Sequence, residues 1–293
     1  MRVAAIQTTA GPDRAANLAA AAVLVEEAAL SGAELVVLPE YFSVAGSPSV
    51  LRAGAEPLDG PTVGWARDLA RHFGLRLVAG SFPERREPRD TAGRLFNTSC
   101  LIGPTGTVDA VYRKVHLFDA DIDGAALRES ATIAPGASLC THRLDEGDGA
   151  VPAVLGLSIC YDLRFPELYR ILALSDATIV AVPAAFTATT GPAHWEVLLR
   201  ARAIENQLYV IAAGQIGELP PGMPACHGHS MIVDPWGSVI AERIEASPGV
   251  VLADLDLDRL RRIRSELPVL ANRRPSTYRW PDDGFRQASD SGR

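Results

Sequence analysis

Short apolar runs alternate along this chain with longer stretches whose apolar residues recur every three or four positions, the pattern of an α/β protein. Residues 2–8 read as a strand. Asp13 is placed to cap a helix that runs through Ser31, with Gly32 just past its end. Residues 34–39 form a buried strand that stops at Glu40. A helix over 62–73 ends at Gly74, and a strand over 75–80 follows. Residues 95–102 and 107–114 alternate in strand fashion around the turn residues Gly103, Pro104, Thr105 and Gly106, which leaves Lys114 at a strand end.

The second half repeats this grammar. A strand over 153–159, a helix over 166–174, a strand over 178–182, a helix over 192–207 and a strand over 209–213 lead into a hairpin, 229–233 and 238–242, around Asp234, Pro235, Trp236 and Gly237. The chain thus reads as an internal pseudo-two-fold repeat. Two halves that each keep one sheet face apolar are stable if those faces pack together, with helices on both outsides. The expected fold is a four-layer α-β-β-α sandwich. Leu260, Ile263 and Leu267 share one face of a closing helix. Residues 1–270 are expected to form one domain and 271–293 a C-terminal extension, partly disordered or interface-forming, because 281–293 carry too little apolar surface to fold alone.

Composition narrows the partners. With 293 residues and 47% hydrophobic content, core size is not limiting. The net charge of -7 gives no basis for holding nucleic acid, so a small molecule is the expected partner. The basic run Arg259, Arg261, Arg262, Arg264, Arg273 and Arg274 reads as a solvated helix face. No apolar stretch is long enough to span a membrane, and the amino terminus lacks the pattern of a secretory signal, so a cytoplasmic location is expected. The four cysteines, at 100, 140, 160 and 226, do not have the spacing of a disulfide framework. Cys100 and Cys140 read as structural.

Three segments place a reactive side chain where an apolar strand ends, the usual address for chemistry in α/β folds. They are Leu38-Pro39-Glu40-Tyr41-Phe42, Tyr112-Arg113-Lys114-Val115-His116 and Leu157-Ser158-Ile159-Cys160-Tyr161-Asp162. Each alone is an ordinary surface charge or a small buried hydrophobe. Together they offer a nucleophile, a base and a cation. A thiol needs a base, a nearby cation or a helix amino terminus to become reactive near neutral pH, and Glu40 and Lys114 supply the first two. None of the six histidines is a convincing partner for the sulfur, which makes a carboxylate the base of choice over a Cys-His pair.

These segments, in this order, resemble the Glu-Lys-Cys motifs of the nitrilase superfamily of carbon-nitrogen hydrolases, and the likeness spans about residues 1–280. The run from Gly191 to Gln207, Gly228-His229-Ser230-Met231 and Asp234-Pro235-Trp236-Gly237 are similar to the branch of omega-amidases and deaminated-glutathione amidases. The resemblance implies a dimer or higher homo-oligomer and catalysis without metal or organic cofactor. It implies that Glu40 takes the Cys160 proton, that the sulfur attacks an amide carbonyl, and that Lys114 and the Tyr161 backbone N–H stabilise the oxyanion. Ammonia leaves, and Glu40 then activates water to hydrolyse the thioester. Glu129, in Leu127-Arg128-Glu129-Ser130, resembles the family's second glutamate and is given a supporting role; the alternative is a loop carboxylate paired with a neighbouring Arg. Asp162 and Glu167 are expected to hold the loop around Cys160.

Cys160-Tyr161-Asp162 departs from the Cys-Trp-Glu of true nitrilases, which favours amides over nitriles. By the same resemblance, Arg164, Phe186 and Thr190 hold a substrate carboxylate, as in 2-oxoglutaramate or deaminated glutathione; the alternative for Arg164 is an ion pair with Glu167 or Asp162. An N-carbamoyl amino acid amidohydrolase is the rival within the family. Outside it stand a catalytically silent binding scaffold and a zinc site built on Cys226, His227 and His229, whose spacing lacks a fourth obvious ligand. The Pro/Gly-rich loop over 217–226 departs from either amidase subgroup.

Overall fold

A computed structural model describes residues 1–86, 92–122, 125–144, 152–218 and 224–278. The first half carries β1 (Arg2–Gln7), α1 (Arg14–Leu30), β2 (Leu35–Val37), α2 (Pro48–Ala53), α3 (Pro61–Phe73), β3 (Arg76–Val78), β4 (Phe82–Glu84), β5 (Phe96–Ile102) and β6 (Val108–Arg113). A small hairpin of β7 (Asp119–Ile122) and β8 (Ala125–Arg128) follows. The second half carries β9 (Thr141–Arg143), β10 (Val154–Leu157), α4 (Pro166–Leu174), β11 (Ile179–Ala184), α5 (Gly191–Asn206) and β12 (Tyr209–Gly214). A short pair, β13 (Ile216–Gly217) and β14 (Cys226–His227), precedes β15 (Met231–Val233), β16 (Val239–Glu242), β17 (Gly249–Asp254) and α6 (Leu257–Glu266).

Local chemistry sets the helix ends where the patterning puts them. The Asp13 carboxylate accepts the Ala16 N–H at the start of α1. Pro61 opens α3, and Gly74 closes it in the left-handed region at φ 65°. Along β1 the pleat then sorts the side chains. Val3 and Ala5 join the core that also holds Leu155, Leu157 and Ile211 of the other half. Ala4 and Ile6 pack instead with Ala21 and Val25 of α1 and with Val63 and Ala66 of α3. On the far side, Leu168 and Leu172 of α4 and Trp195 and Leu199 of α5 cover the second sheet. The four layers are therefore helices, sheet, sheet and helices, as expected.

The repeat is visible in the topology. Strands β1, β2 and β3 run parallel, and so do β10, β11 and β12. Each trio is extended by an antiparallel hairpin, β5–β6 beside β3 and β15–β16 beside β12. Each first strand is flanked by an antiparallel strand, β17 against β1 and β9 against β10. The patterning misses β17, which comes late in the chain yet closes the first sheet. It also misses α2, β4, β9 and the hairpin β7–β8, all short.

Four residues of the basic run are taken up by contacts within the chain. Arg259 bonds Asp234 at 2.8 Å, Arg261 reaches Asp258 at 3.1 Å and Arg262 reaches Asp256 at 3.4 Å. Arg264 acts as a strut, donating to the carbonyls of Gln207 and Ala177. Residues 219–223 of the Pro/Gly-rich loop and 279–293 of the extension lie outside the described residues.

Candidate active site

Glu40, Lys114 and Cys160, distant in sequence, meet at one end of the two sheets. Glu40 lies just beyond β2 with its side chain 3% exposed, and Lys114 just beyond β6 with its side chain 2% exposed. The chain turns sharply after each reactive strand. Tyr41 has φ 54° and Cys160 has φ 45°, left-handed conformations that L residues adopt at a cost of about 1–3 kcal/mol. The turn at Glu40 depends on Gly80, at φ +40°, because a Cβ there would run into the Pro39 carbonyl.

Lys114 Nζ donates to Glu40 Oε1 at 2.9 Å and to Glu129 Oε1 and Oε2 at 3.1 and 2.9 Å. Glu129 is further held by the Phe118 N–H at 2.7 Å and the Tyr41 hydroxyl at 3.3 Å. Its partner is thus the lysine, while the adjacent Arg128 pairs with Asp121. The far oxygen of Glu40, Oε2, accepts the Ala185 N–H at 2.9 Å, just past the end of β11. Gln215, fully buried, pins the Glu40 carbonyl at 3.0 Å and accepts the Ala10 N–H at 2.9 Å.

Burial works against the Lys114 charge, but Glu129 and Glu40 outweigh it and hold the ammonium well above the usual lysine range. The Cys160 thiol is shifted upward as well. Burial, then the Glu40 charge and a hydrogen bond to Glu40, push it well above the ordinary thiol range, and the opposing pull of Lys114 is smaller. The resting sulfur therefore keeps its proton and shares it with the Glu40 carboxylate.

The loop after Cys160 is built on Asp162, which is fully buried. Its carboxylate accepts from the Ile159 N–H at 2.9 Å, the His116 N–H at 3.0 Å and the Tyr112 hydroxyl at 2.7 Å. The His116 ring lies 2.8 Å from it and stacks on Phe165 with centroids 3.6 Å apart. Asp162 thus holds the loop as expected. Glu167 does not: it stands exposed in the first turn of α4, beside a surface groove. Asp162→Ala leaves three donors unpaired and is expected to cost about 2–5 kcal/mol by urea denaturation, by loss of a buried network.

Two recesses meet at Cys160. One is lined by Cys160, Tyr161, Arg164, Phe186 and Thr190, so four residues picked from the sequence do converge beside the sulfur. Arg164 forms neither of its alternative ion pairs. Its guanidinium lies 5.0 Å from the Phe186 ring centroid, donates to Thr190 Oγ1 at 3.3 Å and sits 3.2 Å from His194 Nδ1. Among the described residues no carboxylate is within ion-pair reach of it. The other recess, about 160 Å³, is walled by Tyr41, Pro48, Leu51, Leu127 and Ile133. His229, one residue of the zinc alternative, is engaged by Glu242 at 2.7 Å.

Asn97, Ala185 and Gln215 are missed by the sequence reading. Ala185 contributes a backbone N–H, which leaves no mark in composition. Asn97 carries a signal, as the polar start of Asn97-Thr98-Ser99 in a strand that is otherwise apolar.

The sequence matches the carbon-nitrogen hydrolase family over residues 2–265, and the chain belongs to that family. Human deaminated glutathione amidase is 46% identical over 279 residues, covering 94% of this chain and 83% of the relative. Zebrafish (Danio rerio) omega-amidase NIT2 is 38% identical over 278 residues, covering 94% and 96%. Among solved structures, Saccharomyces cerevisiae Nit3, a member of branch 10 of the nitrilase superfamily, aligns at TM-score 0.80 with 33% identity, covering 92% of this chain and 94% of that one. The superfamily and the branch read from the motifs are both borne out. The protein is an enzyme of the amidase type.

Proposed function

We propose that the protein hydrolyses the side-chain amide of a short 2-oxo dicarboxylic acid, with deaminated glutathione and 2-oxoglutaramate as the substrate types, through a thioester on Cys160. Glu40 takes the thiol proton as the sulfur attacks the amide carbon. Lys114 and the Tyr161 N–H receive the developing oxyanion. The proton passes from Glu40 to the nitrogen as the C–N bond breaks, releasing ammonia from a primary amide or an amine from a substituted one. Glu40 then deprotonates the water that hydrolyses the thioester. Glu129 supports by holding Lys114 charged and aimed.

The observation that carries the substrate class is Arg164, a guanidinium with no carboxylate partner among the described residues, which opens on the same recess as the sulfur. Phe186 and Thr190 fix its plane, as bidentate reading of a carboxylate requires. The similarity to deaminated glutathione amidases favours the larger substrate, and the apolar recess beside Glu129 has room for its amine portion.

The test is a comparison of 2-oxoglutaramate, deaminated glutathione, glutamine and an N-carbamoyl amino acid as substrates of the purified protein. The 2-oxo amides should be turned over, and Arg164→Ala should raise their KM by on the order of tenfold or more with a smaller change in kcat. Release of carbon dioxide from the carbamoyl compound, with the 2-oxo amides inert, would move the protein to the rival reaction.

The remaining readings are proposals on the same footing. Residues 1–270 are taken as the hydrolase domain and 271–293 as an extension. A homodimer or higher homo-oligomer is supported by Ile171 and Leu174 of α4 and by Tyr278, which are 50%, 47% and 70% exposed around one groove. The four free cysteines fit a reducing compartment, hence the cytoplasm. No described helix is long and apolar enough to cross a membrane.

A further inference from the structure

Between the two glutamates lies a side chain that the reaction as described does not use. Asn97, the second residue of β5, is fully buried. Its Nδ2 donates to Glu40 Oε1 at 2.9 Å and to Glu129 Oε1 at 3.3 Å. Its backbone carbonyl accepts the Lys114 N–H at 2.9 Å, so one residue touches all three charged members of the site. Its Oδ1 finds no partner among the described residues. A buried acceptor left unpaired costs about 1–3 kcal/mol, so the amide is not placed there for its own bonding. Nor can it turn over, because Oδ1 would then face two carboxylate oxygens.

The division of labour on Glu40 gives this contact its meaning. Lys114 and Asn97 both hold Oε1. Oε2 accepts the Ala185 N–H at 2.9 Å, and Ala185 lines both recesses together with Cys160. Oε2 is therefore the oxygen on the sulfur side. We propose that Asn97 is a positioning residue: by holding Oε1 of Glu40 and tying it to Glu129, it keeps Oε2 turned to the Cys160 thiol as the base atom. This rests on the reading of Glu40 as the base. The charged and titratable groups facing Glu40 are Lys114 beyond β6, Glu129, the neighbouring Tyr41, Cys160 beyond β10 and Cys226 of β14. Asn97 is a neutral side-chain donor to Glu40, so its removal to alanine changes the hydrogen bonding of Glu40 without changing the charge of the site.

The experiment compares the full-length wild type with Asn97→Ala and Asn97→Asp, measuring kcat and KM against pH on 2-oxoglutaramate and deaminated glutathione. It also follows the rate of Cys160 alkylation by iodoacetamide against pH, which needs no substrate. Asn97→Ala should lose on the order of tenfold or more in kcat, the scale of a misplaced catalytic group, with KM little changed. An ionised carboxylate that loses a donor is more easily protonated, so the acid side of its kcat/KM and alkylation profiles should move to higher pH. Asn97→Asp keeps the size and loses the donation, and should be the less active of the two. A packing role predicts the reverse order. Asn97→Asp more active than Asn97→Ala, pH profiles that coincide with wild type, or failure of both variants to fold would each overturn the proposal. If Asn97→Asp alone fails to fold, the pH profiles of Asn97→Ala decide. A wild type inert to every amide would sink the functional reading and leave the alkylation profiles to decide on Asn97.

Discussion

Cys160→Ala is expected to lower turnover by on the order of 10⁴-fold or more, with little effect on folding, because Cys160 is the only thiol among the described residues that line the two recesses. Serine should not rescue it. A hydroxyl is far harder to ionise than a thiol and a weaker nucleophile, so the same carboxylate activates it less. Mass spectrometry of wild type quenched during turnover should find the acyl group on Cys160, and no such adduct on the variant. Turnover surviving in the alanine protein at a comparable rate would remove the cysteine from the mechanism.

Lys114→Met should abolish activity and also destabilise the fold. Lys114 is the shared cation of two carboxylates, and with its side chain 2% exposed and that of Glu40 at 3%, Glu40 has almost no water to fall back on, while Glu129 at 13% has little. Removing one member of such a buried set costs about 3–5 kcal/mol, read as a lower denaturant midpoint at unchanged slope. A second change separates the two effects. Adding Glu129→Gln to Lys114→Met removes one of the stranded charges and should recover part of the stability while leaving the protein inactive, since the oxyanion still lacks its cation. A single variant as stable as wild type would mean that the two acids are not both ionised in the native protein.

What could be read from the sequence follows from how each residue acts. Glu40, Lys114 and Cys160 were legible because each is a chemically unusual side chain ending an apolar strand, and their order along the chain is specific. Asp13 and Gly74 marked helix ends because caps are local chemistry. Ala185 was not legible, since it contributes a main-chain N–H that any residue but proline would supply. Asn97 and Gln215 gain their roles only when β5 and the end of β12 are brought beside Glu40. The partner of Arg164 was undecided for the same reason: helical spacing allowed Glu167, and only the packing of α5 put Thr190 and His194 beside it. The depth at which the Cys160 thiol is buried was not legible, because sequence names the neighbours of a group but not its burial.

The position of β17 governs when this protein can fold during synthesis. β1 lies between β2 and β17, and Arg2 bonds Asp254 across 252 residues of chain. Until that late segment leaves the ribosome, the whole hydrogen-bonding edge of Val3, Ala4, Ala5 and Ile6 stays open, a strongly apolar strand with an unpaired side. The amino-terminal half is thus made first but is completed last, and nascent chains of intermediate length carry a sticky edge that other chains can pair with.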